Sequence, residues 1–366
     1  MELYAGLDVH SKMSAFAVQD GEGRMKCQGE VPTTPEGLGL LGNRYGLPAG
    51  TRVALESGTV AFFAARQLAR LGFEPVVVDA REVRLKAHRP RQKSDGRDAR
   101  ELCEGLRRGI YRALVHVPPE PIDRLRRTLS RRRHFVRLMT REVNAVKRLL
   151  RAEGLGALYK SLTTEAAWEK LLAALDGREE LRAWAGMHRA LWSRAREQAE
   201  ELDGMLERER RLLAPEIGRL QTIPGVGPIV ALTAVAFLWD AERFPSAKHA
   251  ASYAGLVPAT RQSGERTAGG NITRQGPAEL RAMLCEAAHH ARRPYHPLNP
   301  YFAKLCARRG YKMAVVAVAH RLCRIMYAML RHRREFEAGR LAVEAGPFEK
   351  TTVRLYRLKP APRAGR

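Results

Sequence analysis

The chain has 366 residues, enough for two or three domains with buried cores. Its 64 Lys and Arg against 39 Asp and Glu leave a formal charge of +25, an excess that points to a polyanionic partner, nucleic acid first. No apolar run reaches the roughly 18 residues expected of a spanning helix. The five cysteines (Cys27, Cys103, Cys285, Cys306 and Cys323) are scattered and form no CxxC pair, which argues against a zinc ribbon or a disulfide framework. The first residues lack the basic and apolar segments of a signal peptide, so a reducing cytoplasm and no membrane are expected.

Leu3–Val9 and Ser14–Val18 read as consecutive strands around a short turn, and Met25–Val31 as a third. Arg52–Glu56 is a short apolar strand stopped by Ser57-Gly58. A helix from Val60 to Leu71 follows, then a β-branched strand from Pro75 to Asp79. This order fits an α/β domain of the ribonuclease-H-like kind over residues 1–120, though alternation alone fits other α/β folds. Residues 121–215 change character. Arg124–Arg151 is densely basic with apolar residues at helical intervals, and Trp192–Leu213 alternates Glu and Arg. The second stretch suits either a coiled-coil or dimerisation arm or a solvated surface helix. Residues 216–340 read as a third, mostly helical unit. It opens on Ile223-Pro224-Gly225-Val226-Gly227-Pro228, which suits a helix-hairpin-helix or an ordinary helix corner. The polar, glycine-rich stretch Arg261–Gly276 interrupts it, and a basic tail, 341–366, ends the chain.

Two acids, Asp8 and Glu56, stand at the ends of apolar strands, where a carboxylate has no packing role. Asp95 and Asp98 open a helix running through Leu106, three residues apart and so on one face of its first turn. Gathered at one point, four carboxylates would repel unless cations lay among them, and hard oxygen donors suit Mg²⁺ or Mn²⁺. Two such ions can activate a nucleophile and stabilise a leaving oxygen in phosphoryl transfer. The competing account makes Asp95 a helix cap and Asp98 a first-turn acid favoured by the helix dipole. Arg91, Lys93 and Arg97 crowd this pair, as a phosphate-binding site would require, and Arg131, Arg132 and Arg133 lie on the basic helix.

Taken together, Gly6-Leu7-Asp8-Val9-His10, Leu55-Glu56-Ser57-Gly58 and Lys93–Ala99 resemble the DEDD transposases of the insertion sequence 110 family, its 1111 subgroup included. In the second half, Ile223–Pro228, Tyr253–Pro258, Ser263-Gly264 and Gly270–Gly276 are similar to that family's C-terminal transposase domain. The resemblance runs from Leu3 to about Arg334. It implies a RuvC-like fold at the N-terminus, a helical linker that mediates assembly as a dimer or tetramer, and metal ligation by Asp8, Glu56, Asp95 and Asp98. It further implies a nucleophilic serine, a site completed across protomers, donor and target DNA as substrates, and a structured noncoding RNA as guide. A nucleoid-associated location would follow.

Ser263 matches the serine of that motif. Serine before glycine is also common turn chemistry, but Arg261, Arg266 and Arg274 surround it with phosphate-neutralising charge. An alternative enzyme is a Holliday-junction-resolvase-like metal-dependent endonuclease that uses the acids alone. A tyrosine recombinase is a third reading, because His289-His290-Ala291-Arg292 spells HxxR and Tyr327 lies downstream. A nucleic-acid-binding protein without catalysis is the non-enzyme alternative.

Overall fold

In strand β1 (Leu3–Val9) the side chains of Ala5 and Leu7 are buried on one face of a sheet, and Gly6 is turned to the other. The sheet belongs to a computed structural model that describes residues 2–86, 94–158, 161–263 and 266–339, with backbone alone for 260–270. β1 pairs antiparallel with β2 (Met13–Asp20), which pairs antiparallel with β3 (Met25–Pro32). On its other side β1 pairs parallel with β4 (Arg52–Glu56), and β4 pairs parallel with β5 (Glu74–Val78). The order is β3-β2-β1-β4-β5, a mixed sheet.

Helices cover both faces, which is why the central strands read as nearly continuous apolar runs. On one face, Leu7, Phe16, Val18, Val53, Leu55 and Val77 pack with Leu38 and Leu41 of α1 (Pro35–Asn43) and Leu68 of α2 (Ala61–Arg70). The other face is made of small residues, Gly6, Ala15, Ala17 and Ala54, and receives Ala99, Leu102, Cys103 and Leu106 of α4 (Asp95–Arg107). Helix α3 (Ala80–Lys86) follows β5, its start held by Ser57 Oγ, which accepts from the Ala80 amide at 3.0 Å. These elements form one compact unit, Met1–Pro119.

The second unit, Glu120–Arg366, is mostly helical among its described residues. Its two longest helices, α5 (Glu120–Ala152) and α7 (Glu179–Leu212), run antiparallel: Glu142 meets His188 and Arg132 meets Asp203. Helix α6 (Glu165–Ala174) closes one end of the pair, with the rings of Trp168 and Trp192 5.7 Å apart. The remaining core gathers α8 (Ala214–Gln221), α9 (Pro228–Leu238), α10 (Ala247–Tyr253), α11 (Ala278–Ala288), α12 (Asn299–Arg309) and α13 (Tyr311–His332).

Three expectations change. Helix α7 begins at Glu179 and not at Trp192, because Gly186 and the exposed Trp184 and Met187 hide its amphipathic period in the sequence. The stretch 261–276, read as a polar, glycine-rich interruption between helices, overlaps an antiparallel hairpin of β6 (Pro258–Ser263) and β7 (Arg266–Ile272). Helix α13 is long and apolar enough to cross a membrane by length and composition, although Arg321 and Arg324 break its apolar run. It is a core helix here, with Val318, Ala319, Leu322 and Met326 fully buried within the second unit.

Candidate metal centre and serine hairpin

Asp8 and Glu56 each follow the last mutually paired residues of β1 and β4, Leu7 and Leu55, so they occupy equivalent positions on neighbouring parallel strands. Neighbouring strands lie about 4.8 Å apart, which puts both acids at the carboxyl edge of the sheet, where open α/β sheets build their sites. The third contribution comes from α4, and Gly6 determines how close that helix lies. A Cβ on Gly6 would fall 2.1 Å from the Ala99 carbonyl oxygen and 2.4 Å from the Cys103 nitrogen. With hydrogen there instead, the helix backbone lies directly on β1, and its first turn, with Asp95 and Asp98, reaches the strand end.

Among the described residues, Asp8, His10 and Asp95 bring their ligand atoms within 4.8 Å of one another. His10 Nε2 lies 3.2 Å from Asp8 Oδ2 and 3.4 Å from Asp95 Oδ1. The Asp8 side chain is only 15% exposed, whereas that of Asp95 is 60% exposed. Burial pushes the Asp8 carboxyl above the usual carboxylate range, and the charges of Asp98 and Asp95 add to the rise while His10 opposes it. Asp98 is therefore electrostatically part of the group. Glu56 adjoins it through strand register, and its charge helps burial raise the Tyr111 hydroxyl to about 12. A partly buried carboxylate held against like charges, with oxygen donors on two elements, fits a divalent cation.

The sequence reading names four acids and misses His10. A signal was present: residues two apart in extended chain share a face, so Asp8-Val9-His10 at a strand end presents Asp and His on the same side.

In the second unit, Ser263 ends β6 and pairs with Arg266 across the hairpin. The base of the hairpin is locked by backbone: Gly255 and Gly276, both in left-handed conformations, are pressed against the Gln275 and Tyr253 carbonyls respectively. The Thr273 amide donates to the Val257 carbonyl at 2.9 Å, and Arg281 Nη1 donates to the Ala254 carbonyl at 3.0 Å. The two glycine-containing motifs of the sequence thus meet as one clasp that positions β6 and β7.

Residues 5–153 match a family model described as a transposase, the DEDD transposase of IS110, and residues 218–303 match one described as "Transposase IS116/IS110/IS902 family". Together they span more than half of the chain, and the matched segments contain all four acids and Ser263. The chain belongs to the IS110/IS116/IS902 family of transposases. It is 28% identical over 299 residues to a protein of Pseudomonas aeruginosa named "Probable family 20 transposase", covering 78% of this chain and 86% of that one. It is 27% identical over 268 residues to the transposase for insertion sequence element IS1111A of Coxiella burnetii, covering 70% and 71%. A pilin gene-inverting protein of Moraxella lacunata is 35% identical over 121 residues, 32% of this chain and 38% of that protein. Transposases of this family cut and join DNA strands, a phosphoryl transfer, and use a divalent metal.

The basic residues of this transposase fall into distinct settings. Arg91 and Lys93 lie outside the described residues. Arg97 is half-buried and 3.5 Å from Glu101 on its own helix. It lines a 490 Å³ cavity along α4 with Lys86, Arg100, Arg108 and Tyr111, and the clustered acids are not among its walls. On α5, Arg132 makes a two-point contact with Asp203 and Arg133 lies 3.6 Å from Glu279, so both serve packing within the unit. Arg131 is exposed, and with Arg127, His134, Arg141 and Arg148 it forms an exposed basic stripe at helical spacing. Of the hairpin arginines, Arg261 and Arg266 stand in β6 and β7, and exposed Arg274 holds a left-handed backbone at φ 53° just beyond it. Such a conformation disfavours residues other than glycine, asparagine and aspartate.

The tyrosine-recombinase reading loses its nucleophile. Tyr327 is buried in the core and donates its hydroxyl to the Phe244 carbonyl at 3.0 Å, and exposed His289 is paired with Tyr311. Tyr327→Phe is therefore expected to keep strand joining at the wild-type rate and lower stability by about 1 kcal/mol. Parallel joining assays and urea melts check this, and a DNA adduct on Tyr327 would reverse the conclusion.

Proposed function

We propose that this transposase cuts and rejoins donor and target DNA with Ser263 as nucleophile, that Asp8, Glu56, Asp95 and Asp98 hold Mg²⁺ or Mn²⁺, and that a noncoding RNA guides the reaction. The observation that carries the reading is the gathering of Asp8 and Asp95, from a strand end and a helix start, around one point in a chain of this family. The strand order β3-β2-β1-β4-β5, with β2 antiparallel and acids at the end of β1 and β4, supports a ribonuclease-H-like, RuvC-like domain.

When bound, the metal supplies Lewis-acid stabilisation of charge at the reacting phosphate. The chain does the rest. Ser263 Oγ loses its proton and attacks a backbone phosphorus, the bond to the 3′ oxygen breaks, and that oxygen gains a proton. The product is a 5′-phosphoserine. Attack by the 3′ hydroxyl of the other strand reverses the step, frees Ser263 and joins the exchanged strands. Arg261 and Arg266, two and three residues from the serine, and Arg274, just beyond β7, neutralise the phosphate. The exposed stripe on α5 offers Arg127, Arg131, Arg141 and Arg148 to a nucleic-acid backbone, DNA or guide RNA. On α7, exposed Trp184, Leu191, Met205 and Leu212 recur at multiples of seven, as a second helix of an oligomer would require. The expected setting is the cytoplasm, at the nucleoid.

The test is covalent trapping. Full-length protein, the element's RNA, labelled donor and target DNA and Mg²⁺ are quenched in detergent and digested for peptide mass spectrometry. The expected result is a DNA adduct on Ser263 that is lost in Ser263→Ala, together with strand exchange. Cleaved DNA without an adduct, undiminished in Ser263→Ala, would instead support a Holliday-junction-resolvase-like endonuclease that uses the acids alone.

A further inference from the structure

We propose that His10 is itself a ligand of the metal, and that its nitrogen makes the centre favour Mn²⁺ over Mg²⁺. The inference rests on the reading of Asp8 and Asp95 as metal ligands and adds a donor that the four-acid description lacks. Two neighbouring ligand atoms on an octahedral ion with bonds of about 2.1 Å are about 3 Å apart. His10 Nε2 stands 3.2 Å from Asp8 Oδ2 and 3.4 Å from Asp95 Oδ1, close to two such edges, and the three ligand atoms lie within 4.8 Å. Small side-chain adjustments would admit an ion among them.

The backbone presents the ring for this role. Asp8 is the penultimate residue of β1 and His10 is the first residue after the strand, and their side chains meet at 3.2 Å. The His10 amide donates to the Met13 carbonyl at 3.2 Å, which fixes the turn into β2. Its side chain is 53% exposed, so no core-packing need explains a histidine here. What it touches is two carboxylates from two different elements, Asp8 at the end of β1 and Asp95 at the start of α4.

A nitrogen donor changes the ion preference. Mg²⁺ is hard, takes oxygen almost exclusively and dehydrates reluctantly; Mn²⁺ also favours oxygen, but as a transition ion it accepts an imidazole nitrogen at less cost than Mg²⁺ does. A centre of Asp8, Asp95 and His10 therefore gains more for Mn²⁺ than for Mg²⁺.

The experiment uses the full chain with Mn²⁺ as spectroscopic probe and Mg²⁺ as competitor. Pulsed electron paramagnetic resonance reads nitrogen coupling to bound Mn²⁺, and calorimetric titration gives the affinity of each ion for wild type, His10→Ala, His10→Gln and Asp8→Asn. The expected result is a histidine-nitrogen modulation that disappears in both His10 variants, with the Mn²⁺-to-Mg²⁺ affinity ratio falling about tenfold. Mn²⁺ binding that needs Asp8 but shows no such modulation would overturn the role of His10 and leave the carboxylate centre standing. Binding unchanged in Asp8→Asn would overturn both.

Discussion

Asp8→Asn is expected to lower DNA cleavage by about 10³-fold or more and, in EDTA at neutral pH, to make the protein melt higher. The first effect follows from losing a carboxylate where a metal would stabilise the reacting phosphate by several kcal/mol, with each 1.36 kcal/mol worth a factor of ten in rate. The second effect separates a metal centre from a structural cluster. Burial, then Asp98 and Asp95, raises the Asp8 carboxyl above its ordinary value of 3.8, and His10 offsets this only in part. Below that ordinary value Asp8 is protonated in folded and unfolded chains alike, and the metal-free fold carries no penalty. As pH rises towards and through the raised folded value, the unfolded chain sheds the proton more readily, and stability falls. Asparagine never ionises, so the variant keeps what the wild type loses. The gain in melting temperature at pH 7 should shrink as pH falls and vanish near pH 3. Mg²⁺ or Mn²⁺ should raise the wild-type melting temperature and leave the variant unmoved. A lower melting temperature for Asp8→Asn in EDTA would mean that the carboxylate is held for structure, and the metal reading would fail.

How much of this was legible beforehand depends on the range of the interactions. Strands β1 to β5 and helix α4 declare themselves locally, by apolar runs and the acidic first turn at Asp95 and Asp98, and the structure matches those expectations within a few residues. The meeting of Asp8 with Asp95 depends on a packing event between residues 87 apart, and one glycine governs it, which no local pattern reveals. The same holds on α5. A run of arginines reads as one nucleic-acid surface, yet Arg132 and Arg133 find Asp203 and Glu279, acids from α7 and α11 that sequence proximity cannot supply. The hairpin of β6 and β7 was missed because its Gly269-Gly270 pair and many polar residues suppress strand propensity. The clasp formed by Gly255 and Gly276 supplies from tertiary contact what propensity lacks.

Gly6→Ala is expected to damage the centre more than its size suggests. The new methyl would lie 2.1 Å from the Ala99 carbonyl oxygen and 2.4 Å from the Cys103 nitrogen. Both are helix backbone, so no side-chain rotation relieves the overlap, and α4 must lift from β1. Overpacking of this kind costs about 1–3 kcal/mol in stability. The larger consequence is geometric: Asp95 and Asp98 ride on the first turn of α4, and a displacement of about 1 Å in a catalytic group can lower a rate by about 100-fold. Leu68→Ala provides the comparison. It empties a fully buried position on the opposite face of the sheet and should cost about 2–5 kcal/mol, yet it leaves the contact between β1 and α4 untouched. Calorimetric Mn²⁺ titrations on both variants, well below their melting temperatures, should show affinity lost in Gly6→Ala and kept in Leu68→Ala, even where the second is the less stable protein. If instead both variants bind Mn²⁺ as the wild type does, close docking of α4 on Gly6 does not set the spacing of the acids. If both lose binding in proportion to stability, the centre tracks the fold as a whole rather than this one contact.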